Sequence, residues 1–280
     1  MRDIFIPADD NLIDSEAGAV PEFGWRAISE LVVDDRYQRP ITRSGQRNII
    51  KIAENFKWSH FSPVVCTPIE GGKYAIIDGQ HRTHAAAMCG FTSVPCMITL
   101  VTTEEAASVF KAVNANITRV NAGHVARAAL VAREQWVVDL CRIAESGGCK
   151  VFFTNPSGKD RIVGGIYAIN TFRSLIKPDN HDVIITALRR LINSRTFGTR
   201  ADFWSSTTLI PVLSALINQP DAIKDNEFSS LIDNFEIDEL LGSFNDENKR
   251  RWKEGLNSIS RRDYIFNQIT EIVTEAYGDE

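Results

Sequence analysis

Ala75-Ile76-Ile77-Asp78-Gly79-Gln80-His81-Arg82-Thr83-His84-Ala85-Ala86-Ala87-Met88 is the stretch around which the chain is organised. Tyr74 to Ile77 is an apolar run that reads as a buried strand, because β-branched residues suit a packed sheet. Asp78-Gly79 interrupts it, and Gly79 permits a sharp turn or the close approach of a ligand. His81 to Met88 is rich in alanine and reads as a helix, with Gly90 placed to close its C-terminus. A strand, a one-glycine turn and a helix N-terminus together make an anion site. The first free N–H groups point outward, and the helix dipole adds about half a positive charge. Arg82 falls in the first turn, where a cation opposes that dipole unless an anion lies beside it, and this favours a phosphate ligand. On geometry alone a second reading stays open, a plain strand-turn-helix connection whose polar residues are solvated.

Working outward, residues 1–24 are polar and acidic (Asp9, Asp10, Asp14, Glu16) and read as a partly ordered arm. Trp25 to Val33 alternates loosely and predicts the first strand, followed by the loop Asp34-Asp35-Arg36-Tyr37-Gln38-Arg39-Pro40, where Pro40 excludes helix before it. Ser44 is placed to cap a helix running to about Phe56, with Ile49, Ile50, Ile52, Ala53 and Phe56 as its apolar stripe. Pro63 to Pro68 predicts a short strand, and Glu70-Gly71-Gly72-Lys73 a hairpin turn into the central strand. Beyond the motif helix, Val94 to Val101 predicts another strand. Thr102-Thr103-Glu104-Glu105 then opens a helix that either threonine could cap, with Ala106, Val109, Phe110 and Val113 on one face.

After His124 the pattern turns helical. One helix is predicted over Val125 to Ala144, and others over 166–177, 182–194, 202–218, 227–242 and 246–278. The expected organisation is an arm at 1–24, a sheet-bearing domain at 25–121 and an α-helical domain at 122–280, an α+β chain. Asn155-Pro156-Ser157-Gly158-Lys159 lacks the spacing of a P-loop.

Asp78-Gly79-Gln80-His81-Arg82, with Ala85 and Ala86 behind it, resembles the signature of the ParB/sulfiredoxin superfamily, and within it the branch carrying a DGQHR or DGQQR box. The resemblance covers about the first 125 residues. It implies a small mixed-sheet fold whose strand-turn-helix holds the phosphates of a nucleotide, with Asp78, Gly79, Gln80, His81, Arg82 and Thr83 around them. Tyr37-Gln38-Arg39 also resembles that branch, in which the triplet lies close to the nucleotide, and this adds Gln38 and Arg39. The other reading of the triplet is a surface loop with Tyr37 packed down. Asn114-Ala115-Asn116-Ile117-Thr118-Arg119 is similar to the ParB box Glu-Asn-x-Gln-Arg and adds Asn114, Asn116 and Arg119. The asparagines also read as helix-end caps. Ala115 stands where ParB proteins place a glutamate linked to hydrolysis, and Thr118 replaces the glutamine, so turnover by the ParB scheme is not expected.

Composition narrows the rest. The chain has 280 residues, of which 44% are hydrophobic and 24% charged, as in an ordinary globular protein. No apolar run approaches the roughly 20 residues of a membrane span, and Met1 to Pro7 lacks a signal-peptide core. Five cysteines without CxxC spacing suggest reduced thiols in a cytoplasm. A net charge of −5 argues against broad coating of DNA but not against a local basic patch. Lys249-Arg250-Arg251-Trp252-Lys253 and Arg261-Arg262 are such clusters, with acids close by that also allow a solvated helix face.

His81-x-x-His84 lacks the further ligands of a zinc site, so no protein metal cluster is expected. Gln80 replaces the cysteine that sulfiredoxin uses, which removes that chemistry. Phosphoryl transfer needs a carboxylate and Mg²⁺. Asp34, Asp35, Glu104 and Glu105 are the catalytic candidates, beside Asp78 as a cap of the motif helix. The resemblance thus implies a nucleotide-binding protein linked to DNA transactions of a mobile element, partition system or defence island. It would use ATP or CTP with Mg²⁺ as a switch or hydrolyse it slowly. The alternatives are a kinase or nuclease of the same fold, and a non-catalytic regulator of DNA modification like the DndB proteins. A homo-oligomer is left open.

Overall fold

The computed structural model describes residues 1, 3, 4, 13, 15–115, 120–154 and 156–277. The chain divides into two compact units, Met1–Thr118 and Arg119–Glu280.

The first unit is built on a five-stranded sheet. Its strands are β1 (Glu22–Ala27), β2 (Leu31–Val32), β3 (Val64–Ile69), β4 (Lys73–Asp78) and β5 (Ser93–Ile98), in the spatial order β1-β5-β3-β4-β2. The pairings β1 with β5 and β3 with β4 are antiparallel, while β2 with β4 and β3 with β5 are parallel. The single strand expected over Trp25 to Val33 is broken by a 3-10 turn at Ile28–Glu30, where the Ile28 N–H donates to the Thr92 carbonyl (2.8 Å). That break carries the chain from one edge of the sheet to the other. Five flat strands place their outer edges about 19 Å apart, further than the few residues between Ala27 and Leu31 reach, at most about 14 Å. The sheet therefore curls until its edges approach. The Arg26 guanidinium of β1 accordingly lies 4.9 Å from the centre of the Tyr74 ring of β4.

Alternation along the strands sorts the side chains. Val64, Cys66, Ile76, Val94, Cys96 and Ile98 pack together on one face with Ala86. Val65 and Ile77 turn to the other face, against Ala106, Val109 and Phe110. Ala86 belongs to α2 (Gln80–Met88), and the opposite cover is α3 (Thr103–Ala115). A third helix, α1 (Arg43–Glu54), packs against α2. Thr42 caps α1 in place of the expected Ser44, its hydroxyl accepting from the Gly45 N–H (3.3 Å) while contacting Ser44 Oγ (2.8 Å). Thr102 caps α3 in a reciprocal pair, accepting from the Glu105 N–H (3.3 Å) while its own N–H donates to the Glu105 carboxylate (2.7 Å).

The second unit is helical apart from the two-residue parallel strands β6 (Lys150–Val151) and β7 (Gly165–Ile166). Its helices are α4 (Ala122–Val131), α5 (Gln135–Ser146), α6 (Ile169–Leu175), α7 (His181–Asn193), α8 (Ser206–Ile217), α9 (Phe228–Asp233), α10 (Ile237–Lys253) and α11 (Arg261–Tyr277). α8 is apolar on nearly every side and packs against α6, α7 and α11 as the central helix. Two expected helices break elsewhere than predicted. The run from Val125 is split by Arg133, a non-glycine residue in the left-handed region (φ 54°). Gly242 sits inside α10, whereas Gly255, at φ +72°, ends it. Among the described residues no helix is long and apolar enough to cross a membrane.

Candidate functional site

β4 ends at Asp78, and Gly79 turns the chain at φ +106°, a conformation that a side chain disfavours. A Cβ there would also stand 3.3 Å from the Val64 backbone, so the position is doubly suited to glycine. α2 starts at once, and its first intrahelical bond runs from the Thr83 N–H to the Gly79 carbonyl (3.0 Å). The N–H groups of Gln80, His81 and Arg82 precede that bond and have no carbonyl of their own helix to reach. Among the described residues no side chain caps this end. Asp78 was expected as its cap. Instead its carboxylate accepts from Arg82 Nη2 (3.2 Å), one turn into the helix.

Arg82 is more tightly held than its position in the motif suggests. Its Nε donates to the Ser62 carbonyl (3.2 Å) and its Nη2 to the Pro63 carbonyl (3.3 Å), which ties the turn to the segment leading into β3. Thr83, expected at the phosphates, is buried, and its hydroxyl donates to the Gly79 carbonyl (3.1 Å), so it faces inward. His81 lies against α1: its Nδ1 is 3.5 Å from the Asn48 amide, and its ring would touch any side chain placed at Gly45.

Around the free end of α2 opens a cavity of about 780 Å³. Its floor is Asp78 to Arg82. Gln38 and Arg39 line one side and Phe110 and Asn114 of α3 another. Gln38 is buried and donates to the carbonyls of Ile76 (2.9 Å) and Ile77 (2.8 Å), fastening the 34–40 loop across β4. Tyr37 is also packed down, its ring against Phe110 and its hydroxyl donating to the Ile76 carbonyl (3.3 Å). Arg39, which follows them in the loop, is exposed and lines the cavity. The Asn114 amide nitrogen donates back to the Phe110 carbonyl (2.8 Å). Asn116 and Arg119 lie outside the described residues.

The remaining wall comes from Thr42, Ser44, Gly45 and Asn48 at the start of α1. The sequence had marked this segment only as a packing helix. The available signal was two hydroxyls and a glycine clustered at a helix start.

The carboxylates expected as catalytic stand elsewhere. Asp34 and Asp35 line a separate cavity of about 740 Å³, bordered by Arg36, Tyr37, Thr67, Glu70 and Thr102. Arg36 donates to both oxygens of Asp34 (2.9 and 2.7 Å), and this pairing holds the Asp34 carboxyl below the usual carboxylate range. Glu105 is engaged as the reciprocal cap of α3, and the Thr102 N–H likewise lowers its pKa. Glu104 is exposed and does not line the cavity at the start of α2. Among the described residues no three His, Cys, Asp or Glu side chains converge as a metal site.

No curated protein matches the chain. Similar solved structures include the C-terminally truncated ParB of Caulobacter crescentus complexed with CTP-γ-S (14% identity, 75% of this chain and 97% of that one, TM-score 0.36). Others are that protein complexed to the centromeric parS site (13%, 86% and 96%, TM-score 0.29) and the pNOB8-like ParB N-domain (15%, 92% and 99%, TM-score 0.30). These are loose likenesses. Within the chain, residues 26–116, from the end of β1 through α3 and including the whole floor of the cavity, match the ParB N-terminal domain family.

Proposed function

We propose that the cavity at the start of α2 binds the phosphates of a nucleotide, ATP or CTP with Mg²⁺, in a protein linked to DNA transactions. The observation that carries this reading is the uncapped N-terminus of α2 opening into a roughly 780 Å³ cavity, a volume typical of small-molecule sites. The N–H groups of Gln80, His81 and Arg82 supply donors to phosphate oxygens. Arg39 supplies a guanidinium with freedom to close on them, and Arg82 holds the turn in shape while adding positive potential. The match of residues 26–116 to the ParB N-terminal domain supports the same ligand class. In this reading residues 25–121 form the nucleotide domain and 122–280 the helical domain that nucleotide binding serves.

A thermal-shift series with ATP, CTP, ADP and GTP, with and without Mg²⁺, tests it. A nucleotide at a hundred times its Kd stabilises by about 2.7 kcal/mol. Melting unmoved by all four at millimolar concentration would end the proposal. A charge-assisted phosphate contact is worth roughly 1.5–3 kcal/mol. Arg39→Ala should therefore weaken binding by about ten- to a hundredfold, and Arg82→Ala should weaken it while also loosening the turn. Amide exchange should slow at 42–48 as well as 75–88. Protection confined to 75–88 would remove α1 from the site.

Slow turnover fits the same geometry, because among the described residues Asp78 is the one carboxylate lining the cavity and it is paired with Arg82. Phosphate release with CTP and ATP, with and without DNA, measures it. Rapid release abolished by Asp78→Asn would establish an enzyme instead of a switch.

A further inference from the structure

α10 ends in a tightly fastened turn. Gly255 takes φ +72°, the Leu256 N–H donates to the Arg251 carbonyl (2.9 Å), and the Gly255 N–H donates to the Trp252 carbonyl (3.2 Å). The Asn248 side chain then holds Ile259 from both sides, donating to its carbonyl (3.2 Å) and accepting from its N–H (2.8 Å). On this ordered turn Trp252 is 80% exposed. A rigid backbone that keeps an indole in water presents a flat apolar face to a partner.

The charge around it narrows the partner. Six cations fall between Lys249 and Arg262 against one carboxylate, Glu254, in a chain of net charge −5. Three of the six are neutralised locally: Lys249 by Asp246, Arg250 by Glu247 and Glu254, and Arg251 by Glu247 and the Asn257 carbonyl. Asp263 is occupied with Ser260. Lys253, Arg261 and Arg262 are exposed, and among the described residues no carboxylate lies within ion-pairing distance of them. An exposed indole on a segment that also carries unpaired cations fits a polyanion with aromatic rings.

We propose that the turn joining α10 to α11 contacts single-stranded nucleic acid, with a base stacked on Trp252 and phosphates on Lys253, Arg261 and Arg262. Bases in a duplex already have both faces covered, whereas an unpaired base has a face to offer the indole. The proposal deepens the DNA-linked part of the function above and does not depend on nucleotide binding.

The test is fluorescence anisotropy of labelled oligo(dT) with the full chain over a range of salt, alongside heparin as a polyanion without bases. Trp252→Ala, at an exposed position, should weaken oligo(dT) binding about five- to a hundredfold and leave heparin binding unchanged. Trp252→Phe, which keeps a ring, should retain most of the affinity. Removing Lys253, Arg261 and Arg262 together should flatten the salt dependence by about two units of slope. The proposal is overturned if oligo(dT) does not bind, if Trp252→Ala binds it as well as the parent, or if Trp252→Ala loses heparin equally. Tighter binding of a duplex through the same residues would also overturn it. Arg82→Ala should leave oligo(dT) binding intact. Strand binding that survives when no nucleotide shifts the melting would sink the nucleotide reading alone, and the reverse result would sink this one alone.

Discussion

The helical unit and the sheet unit differ in the cations they hold beside their cores. In the helical unit Arg190 makes four hydrogen bonds, donating to the carbonyls of Ile223, Lys224 and Asp225 and to the Ser229 hydroxyl. Arg200 bridges Asp202 and Asp238 in the same way. Both close the surface over a continuous core that runs from Ala126 to Val273. The sheet unit splits its core into two patches either side of the sheet, and at their common border it leaves a helix end uncapped and Arg39 at an open rim. A polar group satisfied within the fold stabilises it, whereas one left facing a cavity is available to a ligand.

The largest expected effect comes from the closed unit. Phe172 is fully buried beside α8, and Phe172→Ala should cost about 3–5 kcal/mol in denaturant unfolding while leaving nucleotide affinity unchanged. Loss of nucleotide affinity in the folded variant would erase the division of labour between the units. Gly79→Ala comes next, since left-handed backbone and crowding against Val64 combine there. We expect a loss of about 1–3 kcal/mol, read in urea, together with weakened nucleotide binding.

The two helix ends facing the cavity give a finer test. α1 is capped by its own Thr42 and α2 is not, so Thr42→Ala should cost about 1 kcal/mol and Thr42→Asp should restore most of it. If Thr42→Ala leaves stability unchanged but abolishes nucleotide binding, the Thr42 hydroxyl belongs to the ligand and not to the helix. The smallest effect is pH-dependent. The Glu105 carboxyl is lowered by the Thr102 N–H, so its contribution is present above the ordinary glutamate range and is lost as pH falls through the lowered value. Amide exchange in the first turn of α3 should quicken on acidification, and Glu105→Gln should flatten that response.

The strand, glycine turn and helix at 74–88 were legible in the sequence because each is fixed by local chemistry: β-branched residues, one glycine where φ is positive, and an alanine run. Its far wall was not, because the hydroxyls and glycine clustered at Thr42, Ser44 and Gly45 do not say which element they will face. That juxtaposition is made by α1 packing on α2. The surroundings of the acids were hidden for a related reason. A sequence shows that Asp34 and Glu105 are charged, but not that Arg36 and Thr102 already hold them. Among the glycines of the helical unit, composition could not separate Gly242, which has open space around it inside α10, from Gly255, which turns left-handed to end it.

The curled sheet has a consequence for the order in which the chain acquires structure. β1 precedes every other described element of its unit, yet its partner is β5, so none of its ladder forms until Ser93 to Ile98 are available. A nascent chain can assemble the β3–β4 hairpin and α2 from neighbouring residues, while residues 22–32 wait unpaired as an apolar and aromatic tether. Such long-separation pairing is slow. In the interval the edges of β4 and β5 are open templates for another chain. The N-terminal segment thus covers the inner strands of the sheet, and a chain starting after Val33 would keep the whole motif yet present the edges of β4 and β5 to its neighbours.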